Sequence, residues 1–290
     1  MMHDLPLRTA TANPLINFIR QPKIFIKLPS KGKYWPEGSL KIQDNGEYPV
    51  YSMTAKDELL LKTPDALLNG QAVVDVIQSC VPNVLNAWQI PQIDIDALLI
   101  AIRIASYGET MDTQLKIKDI DAVYPVDLRV VLDLINQNVN WDERVEISDE
   151  MIVFVRPLNY KQMSKLSIET FETQRIINIV NNDKISEEEK VNAFKISFNK
   201  LTEVAIEMVS NSIYRVDTPN GSVTDSSFIA EFIQKCDRKI FSKIKEKIDF
   251  LRESNTLKPM KVAATQEMID AGSESEIEVP LVFDPTNFFG

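Results

Sequence analysis

Six apolar residues, Val191, Phe194, Phe198, Leu201, Ala205 and Met208, recur at intervals of 3, 4, 3, 4 and 3. That alternation is the period of a seam packed along another helix, within this chain or in a partner. Ser186-Glu-Glu-Glu189 immediately upstream has the spacing of a capping box, so the seam has a defined start. Asn159 can cap the preceding helical stretch YKQMSKLSIETFETQRIINIV. Two long helices are therefore expected between Asn159 and about Met208, and this expectation sets the class of the chain.

The flanking segments add short strands. KIFIKLP (23–29) alternates loosely and is β-rich, and YPVYSM (48–53) follows the Asn45-Gly46 turn, so the two predict a small sheet around the loop 26–40. Thr54 to Asp57 has capping-box spacing, and Thr63-Pro64-Asp65 supplies a cap, a first-turn proline and an acid, so two helix starts sit back to back. Gly70 ends or bends the second, and Ala72 to Cys80 continues as helix. IDIDALLIAIRIASYG (93–108) is interrupted by Arg103 and too short to span a bilayer, and it reads as a buried helix closed by Gly108.

Residues 109–157 change character. QLKIKDI alternates like a strand, Asp127 can cap DLRVVLDLINQN, and EMIVFVRP is the best strand in the chain. Asn220-Gly221 signals a hairpin between Val216 and Val223. One amphipathic helix is expected from Phe228 to Glu253, with Phe232, Cys236, Ile240, Ile244, Ile248 and Leu251 in one stripe. In the tail, Val279, Leu281 and Phe283 can face one side of a strand.

The expected fold is thus α+β and mainly helical. It comprises a flexible N-terminus (1–22), an N-terminal strand-loop-helix domain (23–108) and a small α+β unit (109–158). A helical domain with the hairpin near 216–223 (159–257) and a strand-like C-terminal tail (258–290) complete it.

Composition removes several functions. The formal charge is 32 − 42 = −10, so the long-range field repels nucleic-acid phosphates and anionic membranes. The one histidine, His3, lies in a segment expected to fray, which leaves no imidazole for Ser-His-Asp or Cys-His chemistry. Cys80 and Cys236 are far apart and read as buried free thiols, and no stretch follows a calcium-loop pattern, so neither metal nor cofactor is expected. The eight glycines never fall within two residues of one another, so no dinucleotide fingerprint exists. MMHDLPLRTATANP has no apolar run like a signal-peptide core, so secretion by that route is not indicated.

Three local features could still carry chemistry. A phosphate loop around Gly32-Lys33 needs a glycine at position 27 and Ser or Thr at 34, where this chain has Lys27 and Tyr34. Asp94 and Asp96 do not face each other on a helix and read as capping residues. Lys235, Arg238, Lys239, Lys243, Lys245, Lys247 and Arg252 are interleaved with acids, as on a solvated mixed-charge face. An enzyme without a recognisable motif and a nucleic-acid binder using the 235–247 helix stay open as alternatives.

Several stretches together resemble the baseplate hub protein family of T-even-type contractile-tailed bacteriophages. They are KLPSKGKYW, PVYSMTAKDELLLKTPDALLNGQAVVDVIQSCVPN, IDIDALLIAIRIASYGE, VRPLNYKQMSKLSIETFETQRI, CDRKIFSKIKEKI and VFDPTNFFG, running in patches from Lys23 to Gly290. The resemblance implies a non-enzymatic tail-morphogenesis protein required for baseplate hub assembly and acting by protein contacts, either as a permanent virion subunit or as a transient cytoplasmic chaperone. It implies partners among hub or tail proteins, with the tape-measure protein and a second copy of the chain as further candidates. It places the chain in the host bacterial cytoplasm during assembly and, for a permanent subunit, in the virion baseplate. Some relatives carry cysteine pairs, suggestive of zinc ribbons, in stretches corresponding to Met111–Tyr124 and Lys258–Glu278. This chain has no cysteine there, so zinc is not carried over and packing is expected to hold both regions. With assembly as the implied task, Lys31, Lys33, Tyr34, Trp35, Thr63, Pro64, Asp65, Asn69, Gly70, Phe288 and Phe289 are the expected docking residues. The competing reading is that these aromatics cover the protein's own core.

Overall fold

The structure is a computed structural model that describes residues 15, 19–63, 70–117, 120–137, 139–180, 186–281 and 288. Its class is α+β, mainly helical, with small antiparallel sheets. Two hydrophobic cores organise it, one built from both ends of the chain and one from the middle.

In the first core, β1 (Pro22–Lys27) pairs with β2 (Glu47–Tyr51) and closes the opening loop between them. Helix α1 (Ala55–Leu61) begins at the expected capping box, with the Thr54 hydroxyl accepting from the Asp57 N–H and the Asp57 carboxylate accepting from the Thr54 N–H. Arg20 donates to Ser52 and Ser79 carbonyls at 2.6 Å each and lies 3.5 Å from Asp57, which ties the start of β1 to these helices. Gly70 caps α2 (Gln71–Cys80) at φ +78°, and a Cβ there would meet Ser164 Oγ at 3.0 Å. Helix α3 (Gln92–Tyr107) is buried on most of its circumference, as its near-continuous apolar run requires, and Gly108 ends it with positive φ. Helix α4 (Leu128–Gln137) covers α3, with Asp127 accepting from the Arg129 N–H as expected. Leu281 and Phe288 return to this core from the far end of the chain.

Between α3 and α4, β3 (Thr110–Ile117) and β4 (Ile120–Asp127) form a two-stranded ribbon, and β4 is a strand the sequence reading missed. Pro125 argues against a central strand, but both strands of a two-stranded ribbon are edges, where proline is tolerated. A second ribbon, β9 (Met260–Ala263) with β10 (Glu276–Val279), carries the short helix α9 (Gln266–Asp270) between its strands. The ribbons touch: the Tyr124 hydroxyl donates to the sulfur of the fully buried Met268 at 3.6 Å.

The second core lies under a four-stranded sheet in order β5 (Arg144–Ser148), β6 (Met151–Val155), β7 (Ile213–Thr218), β8 (Gly221–Val223). Val216 pairs with Val223 across the Asn220-Gly221 turn, as expected. The expected single helix 228–253 is instead two, α7 (Ser226–Lys235) and α8 (Arg238–Ser254). Cys236 is extended, and Asp237 accepts from the Ile240 N–H at 3.0 Å. A short acidic side chain that bonds the backbone ahead of it starts a new helix more readily than it continues an old one. Cys236 is half-buried and Cys80 buried, and both are free thiols.

The two long helices form the connection between neighbouring strands β6 and β7. Helix α5 (Tyr160–Val180) starts on the first core, where Tyr160 stacks on Trp88 at 5.7 Å and Asn159 caps through Gln162. Helix α6 (Glu187–Ser212) opens with the expected Ser186 capping box, runs back along α5 and leads directly into β7. Ion pairs Lys165–Glu207 at 2.5 Å and Lys200–Glu169 at 3.6 Å fix their antiparallel register.

Candidate docking surfaces

The opening loop is shaped by its backbone first. The Lys31 and Lys33 N–H groups donate to the Leu28 and Ser30 carbonyls, and Lys31, Gly32 and Tyr34 all have positive φ, at 55°, 81° and 72°. Lysine and tyrosine hold such a conformation only where their surroundings overdetermine it. Two carboxylates supply that constraint.

Asp94, fully buried in the first turn of α3, accepts from the Ser30 N–H at 2.7 Å, the Ser30 hydroxyl at 2.5 Å and the Trp35 indole N–H at 2.7 Å. Burial pushes its carboxyl up to about 6 even though all three hydrogen bonds favour the ionised form. This corrects the capping reading: α3 has no side-chain cap, and Asp94 instead holds the loop. Asp96 has no hydrogen-bond partner among the described residues, and burial pushes its carboxyl up to about 6 as well.

Glu143, just before β5, is the second anchor. Its two oxygens accept from the Tyr34 and Tyr214 hydroxyls at 2.7 Å each, and the Lys33 ammonium pairs with it. Burial alone would raise the Glu143 carboxyl, but the hydrogen bonds from Lys33, Tyr34 and Tyr214 outweigh it and hold it below the usual range. Both tyrosines move the other way, through burial first and then the carboxylate they donate to, with Tyr214 pushed up to about 12. Tyr34 also meets Trp141 edge-on at 6.4 Å. The loop therefore joins the first core, through Asp94, to the sheet of the second, through Glu143.

The expected docking residues are dispersed by the fold. Tyr34 and Trp35 are half-buried and hydrogen-bonded inside the chain, whereas Lys31 and Lys33 are exposed, Lys33 with its ammonium paired to Glu143. Thr63 is exposed and bonds back to the Leu59 carbonyl, and Gly70 is buried against α5. Phe288 is buried in the first core with the Arg103 guanidinium 5.4 Å from its ring. Pro64, Asp65, Asn69 and Phe289, like Phe283 of the expected tail strand and His3, lie outside the described residues.

Other apolar side chains occupy the surface instead. Phe25 and Ile42, both exposed, line with Lys31 and Arg129 a depression of about 700 Å³ beside the opening loop. Their exposure was readable only for Phe25, which alternates with the buried Ile26 in β1. Along the α6 seam, Leu201, Ala205 and Met208 are half-buried, Met208 against the second core, while Val191, Phe194 and Phe198 are exposed. On α7 and α8, Lys235 pairs with Glu231 at 2.6 Å, Lys247 with Asp142 at 2.7 Å, Arg252 with Asp249 at 3.2 Å, and Lys245 with Asp249. Among the described residues no cluster of histidine, cysteine and acidic side chains is placed to hold a metal ion, and no helix is long and apolar enough to cross a membrane.

A family model described as T4 bacteriophage base plate protein matches residues 21–268. No curated protein and no solved structure matches the chain.

Proposed function

The chain belongs to the T4-type bacteriophage base plate protein family, and on that premise we propose that it takes part in assembling the central hub of the baseplate through protein contacts. Membership supports a structural or assembly role in the phage tail. The finer assignment to the hub is supported by one observation above others: an apolar face built around Phe25 and Ile42 beside a loop that the buried Asp94 and the half-buried Glu143 hold in place. A preformed surface of this kind costs little ordering free energy when a neighbour docks on it. The exposed Lys31 and Arg129 at its rim orient an acidic or polar edge of that neighbour.

The neighbours are other hub or tail proteins, with the tape-measure protein among the candidates. Assembly takes place in the infected bacterium's cytoplasm, and the chain then remains in the baseplate. Quantitative mass spectrometry of purified virions and infected-cell lysate tests this reading. A fixed copy number per virion is expected, and abundance in lysate with absence from virions would make the chain a transient chaperone instead. Phage carrying Phe25→Ser and Ile42→Ser are expected to accumulate hub intermediates while the variant chain still folds. Complete baseplates from a strain lacking the protein would overturn the proposal.

A further inference from the structure

Neither hydrophobic core includes any described residue between 168 and 204, so the distal part of the α5–α6 pair adds no apolar side chain to either core. Its surface nevertheless carries Val191, Phe194 and Phe198, exposed by 67%, 57% and 62%. These three are the first members of the 3,4-spaced seam and lie on one face of α6, as heptad positions a, d and a. On that scheme the neighbouring g positions are Lys190 and Ser197, and the e positions are Glu188 and Lys195. Ser197 is buried, which places the g flank toward α5, whereas Glu188 and Lys195 are exposed and make no ion pair among the described residues. One flank of the stripe is thus closed by the chain itself, and the open flank carries one acid and one base seven residues apart.

We propose that this stripe pairs with the same stripe of a second copy, the two α6 helices running antiparallel about a two-fold axis. Antiparallel pairing sets a positions opposite d positions and e flanks opposite e flanks. With Val191 opposite Phe194 of the second copy, each Glu188 faces a Lys195, twice over by symmetry. A slip of one heptad step, with Phe194 opposite Phe198 and Val191 opposite Leu201, sets the two Lys195 ammonium groups against each other, so like charge opposes that register. In this register Phe198 lies opposite Glu187, so Val191 and Phe194, each more than half exposed, contribute roughly 200 Å² of apolar surface per copy, which belongs to the small, reversible class of interface.

The test is sedimentation of the full chain from low micromolar to several hundred micromolar, with folding checked by circular dichroism. A concentration-dependent dimer is expected, lost in Phe194→Ser. Glu188→Lys should weaken it about tenfold, and Glu188→Lys combined with Lys195→Glu should restore it. All three altered side chains are exposed, so folding is expected to be unaffected. A chain that stays monomeric throughout the range would overturn the proposal and leave the stripe to a different protein. A dimer indifferent to both Phe194→Ser and the charge reversal would overturn it equally.

Discussion

The Tyr34 hydroxyl donates to Glu143 Oε1 at 2.7 Å across 109 residues of sequence. On the other oxygen the same carboxylate accepts from Tyr214, so one side chain gathers the opening loop, the segment before β5 and strand β7.

Removing that acceptor strands two tyrosine donors. Glu143→Ala is therefore expected to lower the unfolding free energy by about 1–3 kcal/mol, more than Tyr34→Phe alone. Urea denaturation of both variants and of their combination measures the coupling, and a coupling near zero would mean that the bond contributes nothing in solution.

Asp94 predicts a pH dependence of definite sign. Its carboxyl is raised from an ordinary 3.8 to about 6 in the folded chain, so the folded state binds more protons than the unfolded one between those values. Stability from this group is fully present below about pH 4 and is lost as pH rises through 6. Thermal melts should show the native chain gaining on Asp94→Asn as pH falls from 7 to 4. Asp96 titrates in the same window in both proteins and cancels from the comparison. At pH 7 the variant should be the less stable, because an amide nitrogen replaces one oxygen facing Ser30 or Trp35.

Gly70→Ala combines backbone strain at φ +78° with a Cβ 3.0 Å from Ser164 Oγ and 3.2 Å from the Tyr160 ring. Gly38→Ala has the same backbone problem at φ +76° but open space around it. The first is expected to cost about 2–3 kcal/mol and the second about 1 kcal/mol. Equal losses in chemical denaturation would show that α5 does not pack on Gly70.

Alanine at Tyr34 and Trp35 together should reduce stability, since both side chains are bonded inside the chain. Lys31→Ala should leave the melting temperature within a degree or so, because an exposed lysine contributes within about 0.5 kcal/mol. The contrast separates the loop's inner residues from its outer ones by calorimetry alone.

Local signals were legible. The Thr54 and Ser186 capping boxes, the Asn159 and Asp127 caps and the Asn220-Gly221 turn each lie within a few residues of the groups they satisfy, and all formed as the sequence implies. What escaped was settled by distant partners. Asp94 looks like a first-turn acid until Ser30 and Trp35, 64 and 59 residues upstream, fold onto it. Glu143 has no motif at all, and its role depends on two tyrosines brought from opposite directions along the chain. The α7–α8 break was hidden because an unbroken apolar stripe outweighed one capping aspartate. The exposed half of the α6 seam had the periodicity of a core helix, and periodicity says that a face is covered without saying by whom.

Because the opening loop is anchored to one core through Asp94 and to the other through Glu143, opening either core releases a loop that the other also depends on. Melting of the four-stranded sheet strips Tyr34 of its acceptor, and melting of α3 strips Trp35 of its own. The two cores should consequently be lost in a single cooperative transition, with the loop as the latch through which each senses the other's integrity.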